Sequence, residues 1–226
     1  GNYAVINTVA ANGGCAESRD TFFLRINPYT FEGAVNASAS SDHLCEGIGF
    51  QLYSTGGNYQ TVLLREDFEA PLTNWTTSHA SVNGNTAGSM WLVQPDNYYY
   101  WNKNFRSNDR SKFYMTNSRV QGTLSYTNTI LKTPQMNTIG FSNLTLDFFH
   151  FFEANNSQDI ARVQVSTDNI TWTDVASFTT TQGALTNFDN HVVNLNAYIG
   201  MPSLYIRFFY AASYDRYWAI DNVSVT

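Results

Sequence analysis

The 226-residue chain carries a net charge of −6 and a pI near 5.0, so it has no basic footprint for nucleic acid or an anionic membrane surface. Charged residues make up 13% and aromatics 15%, against a usual charged share of about 25%. This is the profile of an extracellular β protein, with a neutral polar surface and aromatic, β-branched strands. Two cysteines, Cys15 and Cys45, exclude a disulfide-dense scaffold. No apolar run approaches the ~20 residues that span a bilayer. The length suits one large domain, or one domain plus a fragment, and a start at Gly1 rather than Met reads as a fragment or processed product.

In chain order, residues 3–10 and 21–26 read as two strands, with Asn12, Gly13 and Gly14 supplying the turn and Asn27-Pro28 the stop. A lone hairpin is marginal in water, so this pair needs other strands. Residues 29–60 are looser: 37–41 look like linker or edge strand, and 49–54 alternate as a strand that 55–58 should end. Between 61 and 226 strand signals recur at 62–68, 89–93, 111–115, 129–132, 144–153, 161–166, 171–178, 187–194, 203–210 and 218–225. Turn residues separate them at Asn83-Gly84, Gln121-Gly122, 167–169 and Gln182-Gly183. Short strands so punctuated predict an all-β sandwich or barrel. One short turn is expected near 196–199, and no internal repeat is visible.

Five segments then resemble a known family: 64–69 followed by 74–77, 105–118, 146–152, 163–172, and 204–208 through 217–223. Together they are similar to the adhesin-type jelly rolls of Bacteroidetes surface proteins, the cleaved-adhesin or choice-of-anchor J kind, relatives in shape of the MAM jelly roll. The resemblance implies a two-sheet jelly-roll sandwich over 61–226. Residues 1–60 resemble Ig-like strands of the same surface proteins, as a partial repeat and linker. By that resemblance Cys15 closes an upstream repeat and Cys45-Glu46-Gly47 opens the next; a direct Cys15–Cys45 bond is the competing reading.

A strand rarely spends carboxylates without a cation or partner to meet them. Asp67 and Glu69 share one strand face by the two-residue period, and Asp221 lies in the closing strand. If those strands are neighbours, the three acids meet. Ser107, Asn108 and Asp109 add oxygens from a polar loop, in the manner of a Ca2+ site without EF-hand spacing. The resemblance implies a Ca2+ near the first and last strands without fixing its ligands. The alternative is that Asp67 and Glu69 pair with Arg65, Arg207 or Arg216 at the surface. Either way the role is structural, since nothing beside these acids looks catalytic.

Aromatics crowd 98–101, which begin in a loop after Pro95-Asp96-Asn97, and recur at Tyr214. Tyr99, Tyr100, Trp101, Arg106 and Tyr214 are the candidate ligand residues, because exposed rings stack on sugars and polar neighbours bind hydroxyls. The competing reading puts such rings in a jelly-roll core, and Trp91 and Trp218 are assigned there. The basic cluster of Arg106, Arg110, Lys112 and Arg119 either takes an acidic glycan or offsets nearby carboxylates as a solvated loop. His43, His79, His150 and His191 share no metal spacing, and His150 reads as a half-buried strand residue. No nucleophile motif, phosphate loop or converging acid pair in a cleft announces an enzyme. Glycosylation sequons such as the one at Asn74 arise by chance in a chain this rich in Asn and Thr.

The sequence therefore leads to a non-catalytic, Ca2+-stabilised module of a longer multidomain adhesin, secreted or at the cell surface. Its loops at 98–104, 105–111 and 211–217 would meet a surface glycan or another surface protein. A purely structural spacer, or an accessory module of a secreted hydrolase, is the alternative.

Overall fold

A computed structural model describes residues 62–155, 159–214 and 216–226, together with the backbones of strands at 2–9, 18–25, 31–39 and 52–59. The chain divides into two compact units, Gly1–Thr61 and Val62–Thr226. In the first, β1 (Asn2–Val9) pairs antiparallel with β2 (Ser18–Arg25), and β3 (Phe31–Ala39) with β4 (Leu52–Tyr59). Residues 55–58 do not end a strand as expected but lie inside β4. The register of β3 on β4 slips between Glu32 and Val35, where two β3 residues oppose one of β4 in a bulge. Cys15, Cys45, His43 and the turn at 12–14 lie outside the described residues.

The second unit is an all-β jelly-roll sandwich. Its strands are β5 (Leu64–Glu66), β6 (Thr76–His79), β7 (Leu92–Gln94), β8 (Tyr98–Tyr100), β9 (Lys103–Phe105), β10 (Phe113–Asn117), β11 (Thr127–Lys132), β12 (Thr145–Glu153), β13 (Ile160–Ser166), β14 (Thr173–Phe178), β15 (Asp189–Asn194), β16 (Tyr205–Ala212) and β17 (Tyr217–Val225). One helical turn, α1 (Ser118–Gln121), and a 3-10 turn at Asn196–Tyr198 interrupt them. The first sheet runs β15-β12-β17-β10-β7, with β5 also on β17; the second runs β14-β13-β16-β11-β6. The opening and closing strands of the unit are neighbours: β5 pairs antiparallel with β17, Glu66 opposite Val223. The edge strand β6 escaped the sequence reading because all four of its residues are exposed and polar or small, so no apolar alternation marks it.

Aromatic residues from both sheets form the shared core. Phe148 on β12 meets Phe208 on β16 at 5.3 Å between ring centroids, and Trp218 lies 5.8 Å from Phe208 and 5.3 Å from Trp91. Trp91 and Trp218 are core, as expected. Burial of each such ring is worth about 1.5–3 kcal/mol. His150 is not half-buried but fully enclosed, with Trp218 Nε1 donating to its Nδ1 at 3.3 Å. It stays neutral there: burial, with His191 beside it, lowers its pKa to about 3.

A second, smaller core covers the other face of the first sheet. Phe113 and Met115 of β10, Phe151 of β12 and Tyr217 and Ala219 of β17 pack there with Phe105 and Phe188. Phe105 belongs to the β8–β9 hairpin, so this cluster anchors the hairpin on the sandwich.

Candidate functional site

Strand β17 alternates cleanly up to Ile220, with Trp218 and Ile220 in the main core and Tyr217 and Ala219 in the second. Val223 and Val225 return to the main core, so the parity shifts by one residue. The shift is a bulge: Ser224 opposes Asp147 while Asp221 opposes Phe149. Asn222 sits in it at φ +49°, a conformation Asn tolerates better than most side chains.

The bulge leaves Asp221 with no exposed surface. Its Oδ1 accepts from Asn222 N at 2.7 Å and its Oδ2 from Ser111 Oγ at 3.1 Å. Burial pushes its pKa up to about 7; hydrogen bonds from Ser107 and Asn222 oppose that, and the charge of Asp109 adds to it. Asp109 is exposed and accepts from Ser107 Oγ at 2.9 Å, Ser111 N at 3.1 Å and Asn222 Nδ2 at 2.8 Å, and it shares the single Ser111 Oγ proton with Asp221. Burial pulls its pKa upward, but these hydrogen bonds prevail and hold it below the ordinary value. Asn108 Oδ1 is buried with no hydrogen-bond partner among the described residues.

Glu69 reaches the same corner at one remove. Its Oε1 accepts from Lys112 N at 2.6 Å, and Lys112 Nζ donates to the Glu69 carbonyl at 2.7 Å. Glu69, Lys112, Ser111 and Asp221 thus form a continuous line of contacts. Asp67 does not join it. β5 ends at Glu66, and Phe68 turns to φ +57° to bury its ring against Tyr114 and Trp75. The two-residue period therefore stops before Asp67, whose carboxylate accepts from Glu69 N at 3.2 Å in a local turn. The surface pairing weighed for Glu69 goes to Lys112, at 3.6 Å; Arg216 lies 3.7 Å from Glu153 instead.

Among the described residues no three His, Cys, Asp or Glu side chains converge to hold a metal by themselves. The oxygens that do gather are the Asp109 and Asp221 carboxylates and the Ser107 and Ser111 hydroxyls; Asn108, next in the chain to Ser107, carries the unpartnered amide oxygen. These hard donors suit Ca2+, which takes amide and carbonyl oxygens alongside carboxylates. Ser111 and Asn222 were missed from sequence. The spacing of Ser107, Asp109 and Ser111 was the available signal.

The aromatic stretch is a hairpin rather than a loop: Tyr100 pairs with Lys103 across the two-residue turn Trp101-Asn102. Both turn residues have positive φ, +49° and +57°, as a type I′ turn requires. A bulky ring at such a position is strained, and Gly or Asn is the usual occupant. Trp101 is 59% exposed, and the Arg119 guanidinium lies 4.1 Å from its ring centroid. Tyr99 is 65% exposed, and its hydroxyl donates to Asn102 Oδ1 at 2.8 Å. Tyr214 is 40% exposed in the turn before β17.

Tyr100 is half-buried, stacked beside Tyr98 and edge-on to Tyr217, so it supports the tip rather than belonging to its surface. Arg106 is held by Asp96 at 3.2 Å. Of the three expected loops, 98–104 is this hairpin, Phe105 is buried core, and Ala211 and Ala212 close β16. Arg119, which sequence reading placed only in a basic cluster, is delivered to Trp101 by α1. That turn starts where Asn117 Oδ1 accepts from Val120 N at 3.1 Å.

No family model matches the chain, and no curated protein matches it. Among solved structures it is similar to the K1 cleaved adhesin domain of Lys-gingipain from Porphyromonas gingivalis, with a TM-score of 0.51 at 18% identity, over 74% of this chain and 98% of that one. The K3 cleaved adhesin domain of the same protein gives a TM-score of 0.51 at 15% identity, over 74% and 99%. At these identities the likeness is one of fold, an adhesin-like jelly roll. Among the described residues no helix is long and apolar enough to cross a membrane.

Proposed function

We propose that this chain is a non-catalytic binding module of a secreted or cell-surface adhesin, which presents the β8–β9 hairpin to a surface glycan and is stabilised by Ca2+ at the Asp109–Asp221 corner. The observation that carries the reading is Trp101. A tryptophan held at positive φ, largely exposed and set over Arg119 gives up burial and local backbone comfort together. Strain of this kind, an observed outlier, points to a role outside the fold. Tyr99 and Tyr214 are the other exposed rings for a sugar's apolar C–H face, with Asn102 at the hairpin turn.

The corner supports the reading by position. Residues 106–112 run from the hairpin into β10, and Asp109 and Ser111 tie that loop to the β17 bulge. Asp109 and Asp221 would supply carboxylates to the ion, with Ser107, Asn108 and Ser111 supplying neutral oxygens. A bound Ca2+ supplies the positive charge that keeps Asp221 ionised inside the protein.

A panel of immobilised glycans, probed with the chain and with Trp101→Ala and Tyr99→Ala, tests the binding role. The expected result is retention on at least one glycan, weakened about tenfold or more by Trp101→Ala, as is common for a central aromatic contact. Retention on none, or retention indifferent to Trp101, points to a spacer and overturns the proposal.

A further inference from the structure

The face of the second sheet turned away from the core carries an ordered array that the hairpin does not use. Register places Thr76, Lys132, Arg207, Gln164 and Asp174 in one row across all five strands. In the next row Arg162 lies opposite Phe209. The intervening residues Leu131, Val163, Ile206 and Phe208 are buried in the core, so the row residues occupy the opposite face.

Arg207 sits at the centre of this face. Its Nε donates to Gln164 Oε1 at 2.7 Å, and Gln164 Nε2 in turn donates to Asp174 Oδ1 at 2.6 Å. Its guanidinium lies over the Trp172 ring at 4.1 Å. The side chain is thus fixed in position and plane. Among the described residues, no hydrogen bond or ion pair engages its Nη1 or Nη2. Tyr205 and Phe209 flank it at the neighbouring outward positions of β16, both half-buried. Lys132 and Arg162 bring further positive charge. Asp174 is the one carboxylate in the rows and is already engaged by Arg162 at 3.4 Å. In a chain of net charge −6, this face is locally positive.

We infer that this face is a second binding site, independent of the hairpin, that takes an acidic polysaccharide of uronic-acid type. The Arg207 fork would grip a sugar carboxylate through its two free nitrogens, while Tyr205 and Phe209 meet the adjoining rings. A planar guanidinium held by its inner nitrogen suits a carboxylate better than a point charge does.

Affinity electrophoresis of the full chain in gels containing polygalacturonate, neutral galactan or polyglutamate tests this at low and moderate salt. Retardation by polygalacturonate is expected, weakening with salt. Arg207→Gln and Arg207→Lys should each lose about tenfold or more in affinity, while Trp101→Ala should retain binding. Matching urea unfolding midpoints for the variants and the parent establish that the sheet is intact, and Arg207→Lys keeps both the charge and the apolar stem. No retardation of the parent chain, or equal retardation of Arg207→Gln, overturns the inference. So does full binding by Arg207→Lys, which would show charge without the fork, or polyglutamate binding equal to polygalacturonate, which would show that no sugar is read. Loss of binding in Trp101→Ala would assign the polymer to the hairpin instead and likewise overturn the second site.

Discussion

Asp168 and Asp221 each precede an asparagine of positive φ, +60° at Asn169 and +49° at Asn222. Asp168 lies in the exposed turn between β13 and β14. Its Oδ1 accepts from Ile170 N at 2.8 Å, Thr171 N at 2.7 Å and Ser166 Oγ at 2.8 Å. Those bonds come from its own loop and hold its carboxyl well below the usual carboxylate range. Asp221 is shut inside, relies on a loop 110 residues away in sequence, and is raised to about 7. The same dipeptide therefore builds a self-sufficient turn in one place and an electrostatically incomplete corner in the other. The difference lies in where the hydrogen bonds come from and whether water reaches the oxygens.

The largest expected effect bears on that contrast directly. With Ca2+ in large excess over its dissociation constant, Asp221→Asn should forfeit about 3–4 kcal/mol of ion-dependent stability. In chelator the same variant should be at least as stable as the parent, because its amide buries no charge. Urea denaturation in both conditions reads this out, and a variant equally weakened with and without the ion breaks the contrast.

Acid sharpens it next. His150 drops from 6.5 to about 3 on folding. A base so depressed is protonated first in the unfolded chain. Its stabilisation is therefore complete above about 6.5 and is lost as pH falls toward 3. The parent should lose roughly 2–3 kcal/mol from this group by about pH 4.5. His150→Gln, which can still accept from Trp218, should lose much less over the same range in pH-dependent melts.

At the hairpin the expected effect on folding is smaller and of opposite sign. Trp101→Gly relieves a positive-φ ring, so stability should hold or rise by a few tenths of a kcal/mol, up to about 1 kcal/mol. Differential scanning calorimetry checks this, and a marked fall would mean that the Trp101–Arg119 contact holds the fold. Asp168→Asn should lower stability at neutral pH, with the gap to the parent closing as pH falls below the unfolded carboxyl value of 3.8. That is the sign for a depressed acid, and paired urea midpoints at neutral and acid pH measure it.

Much of the sandwich was legible because long strands such as β12 and β16 alternate, Tyr205, Arg207 and Phe209 outward and Ile206, Phe208 and Tyr210 inward. β6 was not legible, since an edge strand with neither face buried leaves no apolar signal. Nor was the β8–β9 hairpin, because a Trp-Asn turn lacks the Gly that usually marks one. At the acidic corner, Asp109 and Asp221 were identifiable from charge placed in and beside strands. Asp67 misled because strand period was extended past Glu66, where Phe68 breaks it to reach the core. Ser111 is marked locally only by its spacing from Ser107 and Asp109, and Asn222 joins the corner through the β17 bulge and a long-range bond to Asp109, which no local pattern announces. Arg207 offered no sequence signal beyond its charge; its place at the centre of the outer face emerges from the register of five strands.

Thermal unfolding across a calcium titration against a chelator baseline tests the proposed ion site at the Asp109–Asp221 corner most directly. A midpoint that climbs steadily with ion concentration, and does not climb in Asp221→Asn, is the result foreseen here. A single melting temperature shared by the calcium-loaded and chelated protein would contradict it.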